Sequence, residues 1–355
     1  MKVLVTGHNG YIGCALVPMF VRAGHDVVGM DNFLFENCTL GPEVAPIPQI
    51  RKDVREATVE DVEGFDAIIH LAGISNDPLG DLNPENTYDI NYKASVRLAK
   101  LAKQAGVSRF LFSSSCSNYG AAGQEEILKE DGKFNPVTAY GQSKVMVEKE
   151  VAELADGKFS PVFLRNATAY GYSARLRGDL VVNNLVGWAF TTGSVMLKSD
   201  GTPWRPLVHI EDISMGFLSL MEAPKDLVHN QAFNVGRTEE NYQMRDIANI
   251  VMETVPGSKV TFAEGAGPDK RCYRVNCDKI KDTIPGFKPK WNVREGAKQL
   301  FEAYKKYGLT MSDFEGARFM RIKTVKKLQD EGKIDADLRW ISAPVAAEAQ
   351  KELAR

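Results

Sequence analysis

Tyr140 and Lys144 stand one helical turn apart in Tyr140-Gly141-Gln142-Ser143-Lys144, and a phenol beside an ammonium is a device for moving a proton. Positions i and i+4 of a helix share a face, so both side chains can address one small site. A free phenol has a pKa of about 10, and a fixed cation close by favours the phenolate. Lys144 could therefore make Tyr140 a base usable near neutrality. Both residue types are common on helix surfaces, so the meaning of the pair depends on what else the chain supplies.

It supplies a glycine-rich loop, Gly7-His8-Asn9-Gly10-Tyr11-Ile12-Gly13, directly after the predicted strand Val3–Thr6 and at the start of a predicted helix. Glycines there let the chain turn sharply, bring backbone N–H groups close to a diphosphate and let helix pack on strand. Gly7, Gly10, Tyr11, Ile12 and Gly13 are the expected diphosphate contacts, in G-x-x-G-x-x-G spacing. The second predicted strand ends at Asp31-Asn32. A carboxylate at that place accepts hydrogen bonds from the adenosine ribose and repels a 2′-phosphate. No Arg or Lys occurs between Arg22 and Arg51, so NAD is favoured over NADP. Asp53-Val54, after the third strand, is expected near the adenine, and Leu71-Ala72-Gly73 is expected to pass close to the cofactor. A proton-moving pair downstream of a dinucleotide loop points to hydride transfer.

The elements needed to position these residues are legible in the hydrophobic pattern. Strands are predicted at Val3–Thr6, Asp26–Met30, Ala67–Leu71, Arg109–Ser113 and Val162–Arg165, and helices near Ile12–Arg22, Pro84–Ala105 and Ala139–Ala155. Short β-branched runs alternating with amphipathic helices give an α/β fold, a parallel sheet covered on both faces. After about Tyr170 come an Arg-rich loop (Ser173 to Asp179), a helix (Leu180 to Phe190) and a short strand (Val195–Lys198). A helix follows from Ile210 to Met221, then a core strand at Ala232–Val235 and a helix at Gln243–Thr254. From Met311 onward charged helical sequence has few large apolar anchors, as expected of a packed or subunit-contacting appendage.

Composition narrows the class. The 355 residues are 44% hydrophobic and 25% charged, with a formal net charge of −2. A chain of that length holds two or three structural units. That balance carries no basic field for nucleic acid or acidic membranes. No run of eighteen apolar residues and no cationic leader with an apolar stretch is seen. Five cysteines without C-x-x-C spacing and histidines without an H-x-x-x-H pair fit reduced thiols in a cytoplasmic protein and offer no metal site.

Taken together, the residues resemble the NAD-dependent nucleotide-sugar epimerase/dehydratase family of extended short-chain dehydrogenase/reductases. The likeness runs through Thr6–Gly13, His70-Leu71-Ala72-Gly73, Asp89-Ile90-Asn91-Tyr92, Ser113-Ser114-Ser115, Tyr119-Gly120 and the Tyr140/Lys144 pair. It continues in Asn183-Asn184-Leu185, Trp204 to Asp212 and Arg294-Glu295-Gly296, covering about residues 1–305. The resemblance implies a Rossmann-type doubly wound sheet with a smaller, interleaved C-terminal substrate domain. Residues 1–170 would form the NAD domain, with 209–236 returning to it. Residues 171–208 and 237–308 would bind the nucleotide sugar, and 309–355 would be a helical extension.

The same resemblance assigns roles. Ser115 would hydrogen-bond the reacting sugar hydroxyl, Tyr140 would take its proton, and Lys144 would hold the nicotinamide ribose. Asn91 would support the helix or a proton-relay water near Lys144. Asn184 and Arg205 would meet the substrate diphosphate, with Arg271 or Arg274 as a second cation. Arg175 and Arg177 either face an anionic substrate or are solvated at the surface, and His209 reads as a structural histidine. Family dehydratases carry an Asp-Glu pair after the Ser/Thr, where this chain has Cys116-Ser117, so 4,6-elimination is disfavoured. The decarboxylating members' nearby Glu is also absent. Members making GDP-fucose use a cysteine acid/base that would align with Ser117, one position from Cys116, while Cys116 also reads as a small buried residue. Thr168 replaces a frequent asparagine and leaves regiochemistry open. The favoured reading is an NAD-dependent epimerase, probing substrate with Cys116, Ser117 and Thr168, in a homodimer formed by the 84–105 and 139–155 helices. A nucleotide-sugar dehydrogenase or 4-ketoreductase, and a non-catalytic NAD-responsive binding protein, are the alternatives.

Overall fold

The computed structural model describes residues 1–75, 77–80, 82–120, 127–267 and 272–341. Seven strands make the central sheet: β1 (Lys2–Thr6), β2 (Asp26–Asp31), β3 (Gln49–Arg51), β4 (Ala67–His70), β5 (Arg109–Ser115), β6 (Ser160–Asn166) and β7 (Gln231–Val235). Their spatial order is β7-β6-β5-β4-β1-β2-β3, and every neighbouring pair is parallel. Between them run α1 (Gly13–Arg22), α2 (Ala94–Gln104), α3 (Ala139–Ala152), α4 (Val181–Thr192) and α5 (Ile210–Glu222). The arrangement is the parallel sheet covered on both faces that the alternating pattern predicts, in the Rossmann-type doubly wound form that the family resemblance implies.

Burial on both faces explains the unbroken apolar strands. One face packs Val3, Val5 and Ile69 against Leu16 and Phe20 of α1 and Ile213 and Phe217 of α5. The other packs Leu4, Ile68 and Phe110 against Val96 and Ala99 of α2 and Val147 and Val151 of α3. The strand order reverses between β1 and β4, and in such sheets a crevice opens there beyond the carboxyl ends of the strands. Thr6 lies in register with Met30 on one side and His70 on the other, which brings the glycine loop, the β2 end and the β4 end to one edge.

A second core belongs to α4, α6 (Met244–Thr254) and α7 (Val293–Tyr307), where Leu185, Val186, Ile247, Val251, Leu300 and Tyr304 are buried together. Ser194–Ser199 and Lys259–Gly267 pair in parallel beside it. Trp204–His209 pairs with Thr168–Tyr170 and Asn241–Gln243, carrying the chain from this core back toward the sheet.

Three elements depart from expectation. Strand β5 runs to Ser115 rather than Ser113, so Ser115 is fixed by sheet pairing with Asn166. The predicted helix over 84–105 is interrupted: a helical turn at Pro84–Thr87 and a π-helical turn at Tyr88–Lys93 precede α2. Beyond Leu309 the chain forms a turn of helix at Met311–Phe314 and α8 (Arg321–Asp330), then returns without helix through an Ile334–Trp340 bridge. Val325, Leu328, Ile334 and Leu338 of this tail pack on Ile74 and Leu79. Among the described residues no helix is long and apolar enough to cross a membrane.

Candidate active site

One cleft of about 1060 Å³ follows the carboxyl edge of the sheet and continues into the second core. Small-molecule pockets commonly measure about 300–1,000 Å³, so this one has room for a dinucleotide and more. Gly7, Gly10, Tyr11, Ile12 and Gly13 line it, as do Asp31, Asn32, Asp53, Val54, Leu71, Ala72 and Gly73. Ser115, Ser117, Tyr140, Lys144, Thr168, Asn184 and Arg205 line the same cleft. Residues spread over almost two hundred positions of sequence thus share one cavity.

Gly7 and Gly13 stand where nothing larger fits. Gly7 has φ +74°, and a Cβ on it would stand 2.7 Å from the Ala72 nitrogen; one on Gly13 would stand 2.3 Å from the His8 carbonyl oxygen. Loop and β4 end are therefore in backbone contact, leaving the amides of the α1 start facing the cleft. The Asp31 carboxylate accepts from the backbone N–H of Asn9 at 3.1 Å and of Phe33 at 2.7 Å. Burial raises its pKa above the usual carboxylate value. Arg51 and Lys52, on the neighbouring strand end, are paired with Glu36 and Asp61 at 2.7 Å each, which leaves the Asp31 corner without an unengaged cation for a 2′-phosphate among the described residues. A glycine cradle that a Cβ would fill, with a carboxylate at the next strand end, fits NAD.

The reacting end is built on β5 and α3. Thr138 caps α3 by accepting from the Gly141 N–H at 3.2 Å, and the first two turns project Tyr140 and Lys144 into the cleft. The Lys144 Nζ donates to the Ser113 carbonyl at 2.7 Å and lies 5.7 Å from the Tyr140 ring centre. Burial lowers the Lys144 pKa to about 7, against an opposing pull from Glu148. Lys144 is therefore poised between charge states at neutrality rather than permanently cationic. Ser115 Oγ accepts from both the N–H and the hydroxyl of Ser117, at 3.1 and 2.8 Å. Its own proton remains available to a substrate oxygen.

Glu148, one further turn along the same face of α3, was not singled out by the sequence, although Tyr140, Lys144 and Glu148 share a four-residue spacing. It forms a buried ion pair with Arg165 at 2.7 Å and accepts from Asn118 at 2.9 Å and from Ser114. Arg165 in turn donates to Tyr119 Oη at 3.0 Å, and Tyr119 to Asn234 Oδ1 at 2.7 Å. This network fastens α3 to the segment carrying Ser115.

Several expected contacts are corrected. Cys116 does not face the cleft: it is fully buried, its thiol donates to the Arg165 carbonyl at 3.1 Å, and burial pushes its pKa up. Strand β5 ends at Ser115, and the helical turn Cys116–Tyr119 that follows carries Cys116, Asn118 and Tyr119 into the core. Asn91 is also buried behind the cleft. Its amide accepts from the Ile74 N–H at 2.7 Å and donates to the Ile74 carbonyl at 2.8 Å, so it shapes the loop after β4 and is not among the residues lining the cleft. Arg274 lies with its guanidinium 5.0 Å from the Trp204 ring centre and outside the cleft lining, where Tyr273 is found. Arg271 lies outside the described residues. Arg175 and Arg177 are not surface groups but only 3% and 6% exposed. Arg177 pairs with Asp179 at 2.7 Å and reaches the Ser75 hydroxyl at 2.9 Å. His209 is structural, bonded to Gln299 at 2.9 Å and stacked on Trp291, as its place in the chain suggested.

Comparison with known proteins agrees with this geometry. Residues 3–236 match the model of the NAD dependent epimerase/dehydratase family. A UDP-glucose 4-epimerase of Neisseria meningitidis serogroup C is 28% identical over 261 residues, covering 66% of this chain and 77% of that protein. UDP-glucuronic acid decarboxylase 4 of Arabidopsis thaliana is 28% identical over 305 residues, covering 83% and 67%. Among solved structures, MoeE5 in complex with UDP-glucose and NAD superposes with a TM-score of 0.73 at 25% identity, covering 86% of this chain and 99% of that one. UDP-glucuronic acid 4-epimerase from Bacillus cereus, in complex with UDP-glucuronic acid and NAD, has the same fold at a TM-score of 0.73 and 22% identity, with coverage of 86% and 99%. With its glycine cradle, its Asp31 corner and its tyrosine–lysine pair meeting in one cleft, the chain belongs to the NAD-dependent epimerase/dehydratase family of enzymes.

Proposed function

We propose that this enzyme is a nucleotide-sugar epimerase acting through transient oxidation at C4 of the sugar. The observation that carries the reading is the chemistry around Ser115. Cys116 is turned into the core, and Ser117 is bonded to Ser115. Among the described residues the carboxylates lining the cleft are Asp31, Asp53 and Asp179. The first is engaged by backbone amides, and the other two are bonded to Arg55 and Arg177. Elimination of water needs an acid and a base at adjacent carbons, and among the described residues no further carboxylate lines the cleft to supply that pair; oxidation and return need only one base.

The glycine loop and Asp31 would hold NAD, which when bound would supply the acceptor and donor of the hydride. Tyr140 takes the hydroxyl proton as the carbon is oxidised and returns it when the opposite face is reduced. Ser115 holds that oxygen by donating its hydroxyl proton. Protonated Lys144 favours the Tyr140 phenolate and offers its remaining N–H groups to the nicotinamide ribose. Asn184 and Arg205, at the far end of the cleft, hold the substrate's diphosphate. The similar proteins named above act on UDP sugars, so UDP-hexoses are the first substrates to test. A homodimer through α2 and α3 belongs to the same reading, and light scattering measures it.

Purified protein incubated in D₂O with a UDP-hexose and no added cofactor should interconvert the C4 epimers without deuterium entering C4, as followed by NMR. Loss of water or carbon dioxide, or stoichiometric release of NADH, would overturn the assignment.

A further inference from the structure

The tail after Leu309 does not pack on a remote surface. Met320, Arg321 and Leu338 line the cleft itself, and the bonds that hold the tail end on the segments already read as the NAD site. Trp340 Nε1 donates to the Asn32 carbonyl at 2.7 Å. Arg55, the partner of Asp53, donates to the Asp337 carbonyl at 2.8 Å. Arg321 Nη2 donates to the Arg175 carbonyl at 3.1 Å, and Arg175 Nε donates to the Asn9 carbonyl at 3.1 Å.

Arg321 is the unusual member. It is only 4% exposed and its guanidinium lies 4.4 Å from the Phe35 ring centre. Its Nη1 is buried and makes no hydrogen bond among the described residues. Arg175 and Arg177 stand close by, paired with Glu43 and Asp179, whereas no carboxylate among the described residues pairs with Arg321. A buried cation without an anion is costly, and a buried donor without an acceptor adds to that cost. Burial accordingly lowers the Arg321 pKa. Arg321 is also the first residue of α8, so the positive end of that helix faces the same region. All of this favours an anion at the glycine-loop side of the cleft.

We propose that residues 320–340 are a clasp on the cofactor, in which Arg321 donates to the diphosphate of NAD and the Asp335–Trp340 segment closes over its adenosine half. The inference rests on NAD binding and not on the reaction, so a different outcome at the sugar leaves it standing. The guanidinium supplies several parallel donors, which suits two oxygens of one phosphate. Closing the adenosine end with the tail slows release, as suits a cofactor that is regenerated within each turnover.

The test uses the full chain, stripped of nucleotide, with wild type, Arg321→Met, Arg321→Lys and the exposed tail control Arg318→Met. Calorimetric titration with NAD, ADP-ribose, adenosine and UDP gives the affinities, and displacement by excess ADP-ribose gives the NAD off-rate. Arg321→Met should weaken NAD and ADP-ribose at least tenfold and speed NAD release by a similar factor, leaving adenosine and UDP unchanged. Arg321→Lys should recover part of the loss and Arg318→Met should match wild type. Equal weakening of adenosine would mean a merely structural role and would overturn the proposal, as would NAD binding by Arg321→Met within twofold of wild type. Weakening of UDP alone would move Arg321 to the substrate and overturn it as well. A wild type that binds the sugar nucleotide but no NAD would overturn both the clasp and the cofactor assignment beneath it.

Discussion

The chemistry at the sugar rests on two side chains whose roles separate on substitution. Tyr140→Phe removes the proton acceptor and keeps the ring, so kcat should fall by about two to four orders of magnitude while the protein still binds NAD in a fluorescence titration. Undiminished turnover would remove Tyr140 from the mechanism. Lys144 leaves a different signature. Its folded pKa of about 7 lies below the free value of 10.5, so between those values the unfolded chain holds the extra proton and stability rises with pH. The penalty of burying the ammonium is present in full below about pH 7 and gone above about 10.5. Lys144→Met should therefore be the more stable protein at pH 7, by an amount on the order of 4 kcal/mol less the lost bond to Ser113, with the gap narrowing by pH 10. Urea unfolding at the two pH values measures it, and a pH-independent difference would contradict the assigned burial. At this scale the sequence is highly informative where spacing fixes direction: i and i+4 on a helix put Tyr140 and Lys144 together whatever surrounds them. It says less about Arg175 and Arg177, because a polar, Arg-rich loop looks solvated until the chain folding over it is known.

Among the elements, the broken helix between Pro84 and Gln104 carries most consequence. A π turn holds an additional residue relative to an α turn, and such turns gather at functional sites. Here the turn presents Asn91 to both polar groups of Ile74, and a Cβ on Gly73 would stand 2.9 Å from the Asn91 Oδ1. Asn91→Ala leaves two buried backbone groups unpaired. It should cost about 2–4 kcal/mol in chemical denaturation and weaken NAD through the loosened β4 loop, although Asn91 itself lines no part of the cleft. A stability loss below about 0.5 kcal/mol would show the loop to be held otherwise. Periodicity alone cannot show this interruption, since the apolar positions of the 84–105 stretch continue through it. The same reasoning explains what was legible in β5. The end of the strand is set by pairing with Asn166 and not by its own composition, so the pattern stops two residues early.

For the molecule as a whole, the central sheet and its helices were readable because each apolar run has one periodicity and one place in a right-handed α/β winding. The tail was not, because the partners of Val325, Leu328, Ile334 and Leu338 are Ile74 and Leu79, over two hundred residues earlier, and no local rule encodes that register. Ile334→Ala should cost about 2–4 kcal/mol, read from the urea midpoint. If the tail is integral, a single unfolding transition should persist, and a separate early transition would show that it docks independently. The position of that tail has a further consequence for how the protein is made. The glycine loop is made about three hundred residues before Arg321 and Leu338, yet all of them line one cleft. Chains emerge from the ribosome at about 5–20 residues per second and fold from the N-terminal side. The sheet can take shape before residues 320–340 are made, so this side of the cleft is walled only after the glycine loop has folded. With the proposed clasp, NAD can enter before residues 320–340 are in place and is held once they are.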